Sequence, residues 1–198
     1  MKTRAATDIA YGQIGFVLFL VVCVALHPGF VFKANEGGMS NYGIHIKTAA
    51  PYTLALGLPA LLSYRAARLI GEPDPMARRF QRFLRAYSLL LALTLLSTYI
   101  YSLNEALRDV HVVVGAALII LETGGGVWMY TMPSHRRGDG LILTILLVGF
   151  VLAALTIVGV LHILFVTQVV TGGAFAFLLV HATQGLCVSS MTTGSASG

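Results

Sequence analysis

The sequence predicts an all-α membrane protein: a six-transmembrane-helix bundle with cytoplasmic N- and C-termini and a prominent first external loop. Three observations predict it. Hydrophobic residues make up 57% of the 198-residue chain and charged residues 11%, with a mean hydropathy of +0.81, against about 25% charge in soluble domains. The apolar residues fall in runs of about 20, the length that crosses a hydrocarbon layer of roughly 30 Å. Basic residues gather between alternate runs. Lys2, Arg4, Arg65, Arg68, Arg78, Arg79, Arg82, Arg85, Arg136 and Arg137 fall on one side, and Lys33, Lys47 and Arg108 on the other. The positive-inside bias then puts the N-terminus in the cytoplasm of a plasma or inner membrane. The net charge of +5 is a topology signal and not a nucleic-acid surface, because the arginines flank apolar segments and are not interleaved with aromatics.

One domain is expected over residues 1–190, with a flexible tail at 191–198 of disordered composition. The first span is expected at 9–26. Lys2 and Arg4 ahead of it imitate a signal peptide, but no small-x-small cleavage site follows, so the span is read as uncleaved. Pro28-Gly29 ends it, because proline cannot continue a helix. The second span, 51–69, starts on Pro51 at a helix-entry position and contains Pro59, which is expected to kink it. The stretch GEPDPMARRFQRFLR follows, with Arg78, Arg79, Arg82 and Arg85 at helical spacing beside Phe80 and Phe83. It is read as an interfacial helical turn against anionic headgroups. The remaining spans are expected at 86–103, 110–130, 141–161 and 167–189, with Arg108-Asp109 as a local ion pair in a loop. Cys23 and Cys187 lie in apolar runs without CxxC spacing and are read as buried thiols.

The first external loop, His27 to Pro51, is the long polar interval of the first half. A connection of this length is uncommon in compact domains and is often functional. Its candidate binding residues are Asn35, Glu36, Ser40, Asn41, Tyr42 and His45, with Tyr101, Glu105, Asp109 and His111 from the outer helix ends as a facing wall. Aromatic rings in this layer also suit the membrane interface for purely structural reasons.

Deeper polar residues are rarer. Ionisable groups inside a bilayer cost about 2.5–3.5 kcal/mol on insertion scales and face a protein interior or a wet cavity. Glu122 is one; it follows His111 by a spacing that brings both to one helical face, about 16 Å apart along the axis, with Gly115 and Leu118 between them. The Thr123-Gly124-Gly125-Gly126 run permits close backbone approach or a loosened helix. Thr94, Thr98, Tyr101 and Glu105 form a stripe on the third span. Thr167, Thr171, Ala174, Leu178 and His181 form one on the sixth, with Gln184 a turn beyond.

The six-span layout, together with Glu36-Gly37-Gly38-Met39-Ser40-Asn41-Tyr42-Gly43 ahead of a Pro51-led span, resembles the bacterial DUF998 membrane proteins and the Frag1/DRAM/Sfk1 group. In the latter an Ile-Ser-Asp-like element stands where this chain has Met39-Ser40-Asn41. The resemblance implies a protein of lipid or membrane organisation, with no chemistry to carry over. The scattered Ser, Asp and His residues are also similar to those of the membrane hydrolases that include the alkaline ceramidases and the progestin and adiponectin receptors. Those have seven spans and a histidine pair in the last, where this chain offers His181 alone.

The expected function is therefore non-enzymatic. It is the binding of membrane lipids, or of another membrane-protein subunit in a larger complex, through the first external loop and outer helix ends, with no cofactor and no nucleic acid. A zinc-dependent intramembrane lipid hydrolase is the alternative, with His27, His45, His111 and His162 as candidate ligands and Glu36 or Asp109 as base. Proton-coupled transport through Glu122 and His181 is a further alternative.

Overall fold

A computed structural model describes residues 2–70, 75–132 and 136–192, with side chains from residue 4 to residue 186. Residues 71–74 and 133–135, the side chain of Cys187 and residues 193–198 of the expected tail lie outside the described residues. The protein is all-helical, with 86% of its residues in helices. In order come α1 (Lys2–Leu26), a 3₁₀ turn (Pro28–Phe30), α2 (Val31–Gly37), α3 (Asn41–Ile44), α4 (Ala49–Leu69), α5 (Pro75–Ile100), α6 (Glu105–Tyr130), α7 (Asp139–Ile157) and α8 (Leu164–Thr192). Among the described residues, the helices at Arg4–Leu26, Pro75–Ile100, Glu105–Tyr130, Asp139–Ile157 and Leu164–Leu186 are long and apolar enough to cross a membrane. The chain is a multi-pass, α-helical membrane protein by that criterion. Helix α4 has the length, but Arg65, Arg68, two prolines and several hydroxyls lower its hydropathy.

Helix ends follow local chemistry. Pro75 opens α5 where a helix has no use for its missing N–H. Asn104 Oδ1 accepts the Leu107 N–H at 2.9 Å and caps α6, with Glu105 in the first turn favoured by the helix dipole. Helix α7 stops at a Schellman motif: Gly159 takes φ +80°, its N–H donates to Thr156 O at 3.0 Å, and the Val160 N–H donates to Leu155 O at 2.9 Å.

Several boundaries differ from expectation. The arginine-rich segment is no separate interfacial turn, because α5 runs unbroken from Pro75. Ala77, Phe80, Gln81 and Leu84 continue the buried face of Tyr87, Ser88 and Leu91, and Gln81 Nε2 donates to Ala67 O at 2.8 Å. Arg108 and Asp109 lie inside α6, where neighbours in sequence point about 100° apart, and they form no ion pair among the described residues. The segment expected to be a first external loop is mostly helical, because a backbone seated against a membrane bundle must satisfy its own N–H and C=O groups.

Helix α1 packs along α4, α4 on α5 and α5 on α6, while α8 closes the ring against α1, α6 and α7. Small residues set these contacts. A Cβ at Gly12 would meet Pro59 Cα at 3.1 Å, and one at Gly15 would meet Leu58 Cδ1 at 3.1 Å. The glycine run of α6 is used for packing, not loosening: α6 is continuous, Gly125 receives the Phe83 ring and Gly126 receives Leu146. Cys23 is buried as expected, with its thiol 3.7 Å from Thr48 O.

Helix α3 is seated just as closely. A Cβ at Gly43 would fall 2.5 Å from Thr98 Cγ2 and 2.7 Å from the Tyr52 ring. Gly43→Val is therefore expected to lower stability by about 1–3 kcal/mol, read as a fall in the thermal midpoint of the purified protein. Gly29→Ala, whose Cβ meets nothing within 4 Å, is expected to leave the midpoint in place. Equal midpoints for both variants would mean that α3 does not sit against α4 and α5.

Candidate functional site

The 3₁₀ turn, α2 and α3 form a cap over one end of the bundle. Its interior is built on Tyr42, which is fully buried, with Phe30 packed edge-on and Phe165 of α8 alongside, each with ring centroids 5.5 Å away. Thr48 Oγ1 donates to Tyr42 O at 2.6 Å and draws the start of α4 under the cap. Burial raises the Tyr42 phenol above its ordinary range. That hydroxyl has no hydrogen-bond partner among the described residues. Between α2 and α3 the chain turns at Gly38, with φ 85° and ψ 175°, a region essentially confined to glycine.

Polar contacts fasten this cap to three other helices. The Met39 N–H donates to Gln168 Oε1 on α8 at 2.8 Å, and the Val166 N–H donates to Asn35 Oδ1 at 3.3 Å. His111 of α6 stands between two serines, with Nε2 2.8 Å from Ser40 Oγ and Nδ1 2.8 Å from Ser97 Oγ. The Ser97 hydroxyl donates to Thr94 O at 3.0 Å. It therefore accepts from Nδ1–H, and in the neutral imidazole this leaves Nε2 to accept from the Ser40 hydroxyl. The Tyr101 ring stacks on His111 at 4.8 Å, and its hydroxyl donates to Asn41 Oδ1 at 3.3 Å. Desolvation raises the Tyr101 phenol as well.

Beneath the cap lies an interhelical cavity of about 260 Å³, lined by the cap and by helices α1 and α4 to α8. Chain direction gives it two ends. Near the cap are Glu36, Ser40, His111 and Gln168; farther along the same helices are Gln13 of α1, Tyr87 of α5 and Glu122 of α6. Phe16, Leu91, Leu118 and Ile119 lie between. Gln13 Nε2 reaches Tyr87 Oη at 3.4 Å. Glu122 is 9% exposed and lines the cavity, and its carboxyl makes no hydrogen bond or ion pair among the described residues. Gly115, one turn below His111, has no atom within 4 Å of where its Cβ would stand.

The structure thus pairs Ser40 with His111 and Asn41 with Tyr101 by hydrogen bonds, links the two pairs through the Tyr101–His111 ring stack, and ties Asn35 separately to Val166 of α8. It also puts His111, Gly115, Leu118 and Glu122 on one cavity wall, the face that helical spacing predicts. Glu105 and Asp109 are not brought to the cap; both are exposed on α6. His45 instead joins the aromatic cluster of the cap, with His27 at 4.3 Å and Phe30 at 5.5 Å. His111 is held by the two serines and His162 is exposed on the α7–α8 connection. Among the described residues no three His, Cys, Asp or Glu side chains form a group able to hold a metal. His181 pairs with Asp139, Nδ1 to Oδ1 2.7 Å, and Arg136 Nη2 donates to Gln184 Oε1 at 3.3 Å. Thr98 of the α5 stripe is within hydrogen-bonding distance of Tyr52 Oη at 3.2 Å and so braces α4 instead of lining the cavity.

Sequence reasoning passed over Gln13, Tyr87, Gln168 and Asp139. Gln13 and Gln168 carry a legible signal, an amide inside an apolar run. Asp139 reads from sequence as part of a basic turn. A second cross-helix pair, Arg65 Nε to Asp8 Oδ2 at 3.1 Å, was likewise hidden; this oxygen sits within ion-pair distance but without hydrogen-bond geometry.

No family model matches the chain, and no curated protein or solved structure matches it.

His27 lies just past the end of α1, and its imidazole is held below its ordinary value of 6.5 by desolvation first, then by His45, Lys47 and Lys33. With the folded value depressed, the unfolded chain takes up the proton first as pH falls. Stability is expected to be at its full value above pH 6.5 and to decline as the pH drops through and below it. The decline should be shallower in His27→Asn, measured by unfolding midpoints across a pH series. An identical slope in the variant would show that His27 is not the group responsible.

Proposed function

We propose that this chain binds a membrane lipid, or an amphipathic molecule of that kind, in the cavity beneath the cap, as a six-span protein with the cap on the outer face. The carrying observation is the cavity itself: an apolar middle formed by Phe16, Leu91, Leu118 and Ile119, with polar side chains at either end. Ligand sites are commonly built from apolar walls with a few placed polar groups. Binding is the reading, with no enzymatic step assigned.

The six-span reading takes α4 as the additional span. Its 21 residues extend about 31 Å, it packs between α1 and α5, and Arg65 and Arg68 fall in its final turns, where long basic side chains can reach a headgroup layer. The bias of Lys and Arg between alternate connections supports cytoplasmic termini and an external cap in a plasma or inner membrane. Apolar side chains such as Val21, Val113, Ile120 and Val148 stay exposed on the outside of the bundle, as a lipid-facing surface requires.

Gly115→Phe tests the reading, since the open space at Gly115 lets a ring enter the cavity without displacing backbone. Protein purified in native-lipid particles is expected to retain about one tightly held amphipathic molecule per chain in this cavity. Gly115→Phe should lose it without a lower thermal midpoint. Mass spectrometry of extracted lipids reads the result, and an unchanged lipid complement in Gly115→Phe would overturn the reading.

A further inference from the structure

We infer that the ligand of this cavity is a lipophilic amine, an alkyl chain whose ammonium head pairs with the Glu122 carboxylate. The inference rests on the cavity-binding reading and narrows its ligand class.

Glu122 is more than nine-tenths buried, lines the cavity and makes no hydrogen bond or ion pair among the described residues. A carboxyl in a membrane interior is ordinarily paired or hydrogen-bonded, so a cavity-facing one without a protein partner marks a place for a ligand group. The cavity wall holds a second carboxylate, Glu36, and no lysine or arginine. The polar groups near Glu122, Gln13 and Tyr87, are both uncharged. A phosphate or carboxylate head would meet an acid at either end and no lysine or arginine, whereas an ammonium gains a charge-assisted hydrogen bond. Phe16 and Tyr87 also line the cavity, and aromatic rings attract a cation. The apolar middle then takes the alkyl chain, running from Glu122 towards the cap.

The test uses the full chain in phosphatidylcholine nanodiscs with three probes of equal chain length: octylamine, 1-octanol and octanoate. Calorimetric titration is expected to give octylamine about tenfold tighter binding than 1-octanol, the factor one hydrogen bond to a charged group supplies, with octanoate weakest. Glu122→Gln should bring octylamine down to the level of 1-octanol while 1-octanol binding is unchanged, and Glu36→Gln should keep most of the amine preference. Unfolding midpoints of the unliganded variants establish that the fold is intact. An amine preference that survives Glu122→Gln, or equal binding of octylamine and 1-octanol to the unaltered protein, would overturn the amine assignment. If 1-octanol binds and Gly115→Phe abolishes it, the cavity reading stands without the amine. If no probe binds, both readings fall.

Discussion

The hydrogen-bonded chain Ser40–His111–Ser97 is the contact on which the rest of the site depends. It joins the cap, α6 and α5 through one imidazole, with both of its nitrogens engaged at 2.8 Å. Helices of seven and four residues cannot hold their own shape in solution, so α2 and α3 exist because they are docked. The Met39–Gln168 bond secures the same turn to α8, and the buried Tyr42 ring fills the space between. Remove these contacts and the cavity loses its roof.

Glycines mark places where helices touch and others where they do not. Gly12 and Gly15 bring α1 against α4, Gly125 admits Phe83, Gly126 admits Leu146 and Gly149 admits Thr171. At Gly115 the same absence of a side chain is met by nothing, and the cavity occupies that level. Close packing at the helix contacts thus stands beside an open position on the cavity wall.

Much of this was legible in the sequence, for definite reasons. Spans announce themselves because lipid admits few charges, and the shared face of His111 and Glu122 follows from helix geometry alone. The capped ends were harder. Polar residues of the 28–48 segment read as a loop because its helicity comes from docking, and the pattern of its own residues does not reveal it. Helix α5 begins a full three turns before the apolar run does, since Phe80 and Leu84 bury one face while the arginines stay exposed on the other. Gln168 and Asp139 escaped notice because their partners, Met39 and His181, are far away in sequence. Of His27, His45, His111 and His162, only the first two stand together, at 4.3 Å, while His111 is held by two serines and His162 is exposed, and chain position alone does not reveal these neighbours.

Hydrogen–deuterium exchange of the full chain in phosphatidylcholine nanodiscs tests the central claim most directly, that residues 28–48 are a docked cap and not a free loop. The account expects slow exchange at the amides of Met39, Tyr42, Gly43 and Thr48, each of which donates to an acceptor within the cap, or to Gln168 in the case of Met39. His111→Ala should speed exchange at all of them together. Exchange at the rate of an unstructured peptide in the unaltered protein would contradict the account.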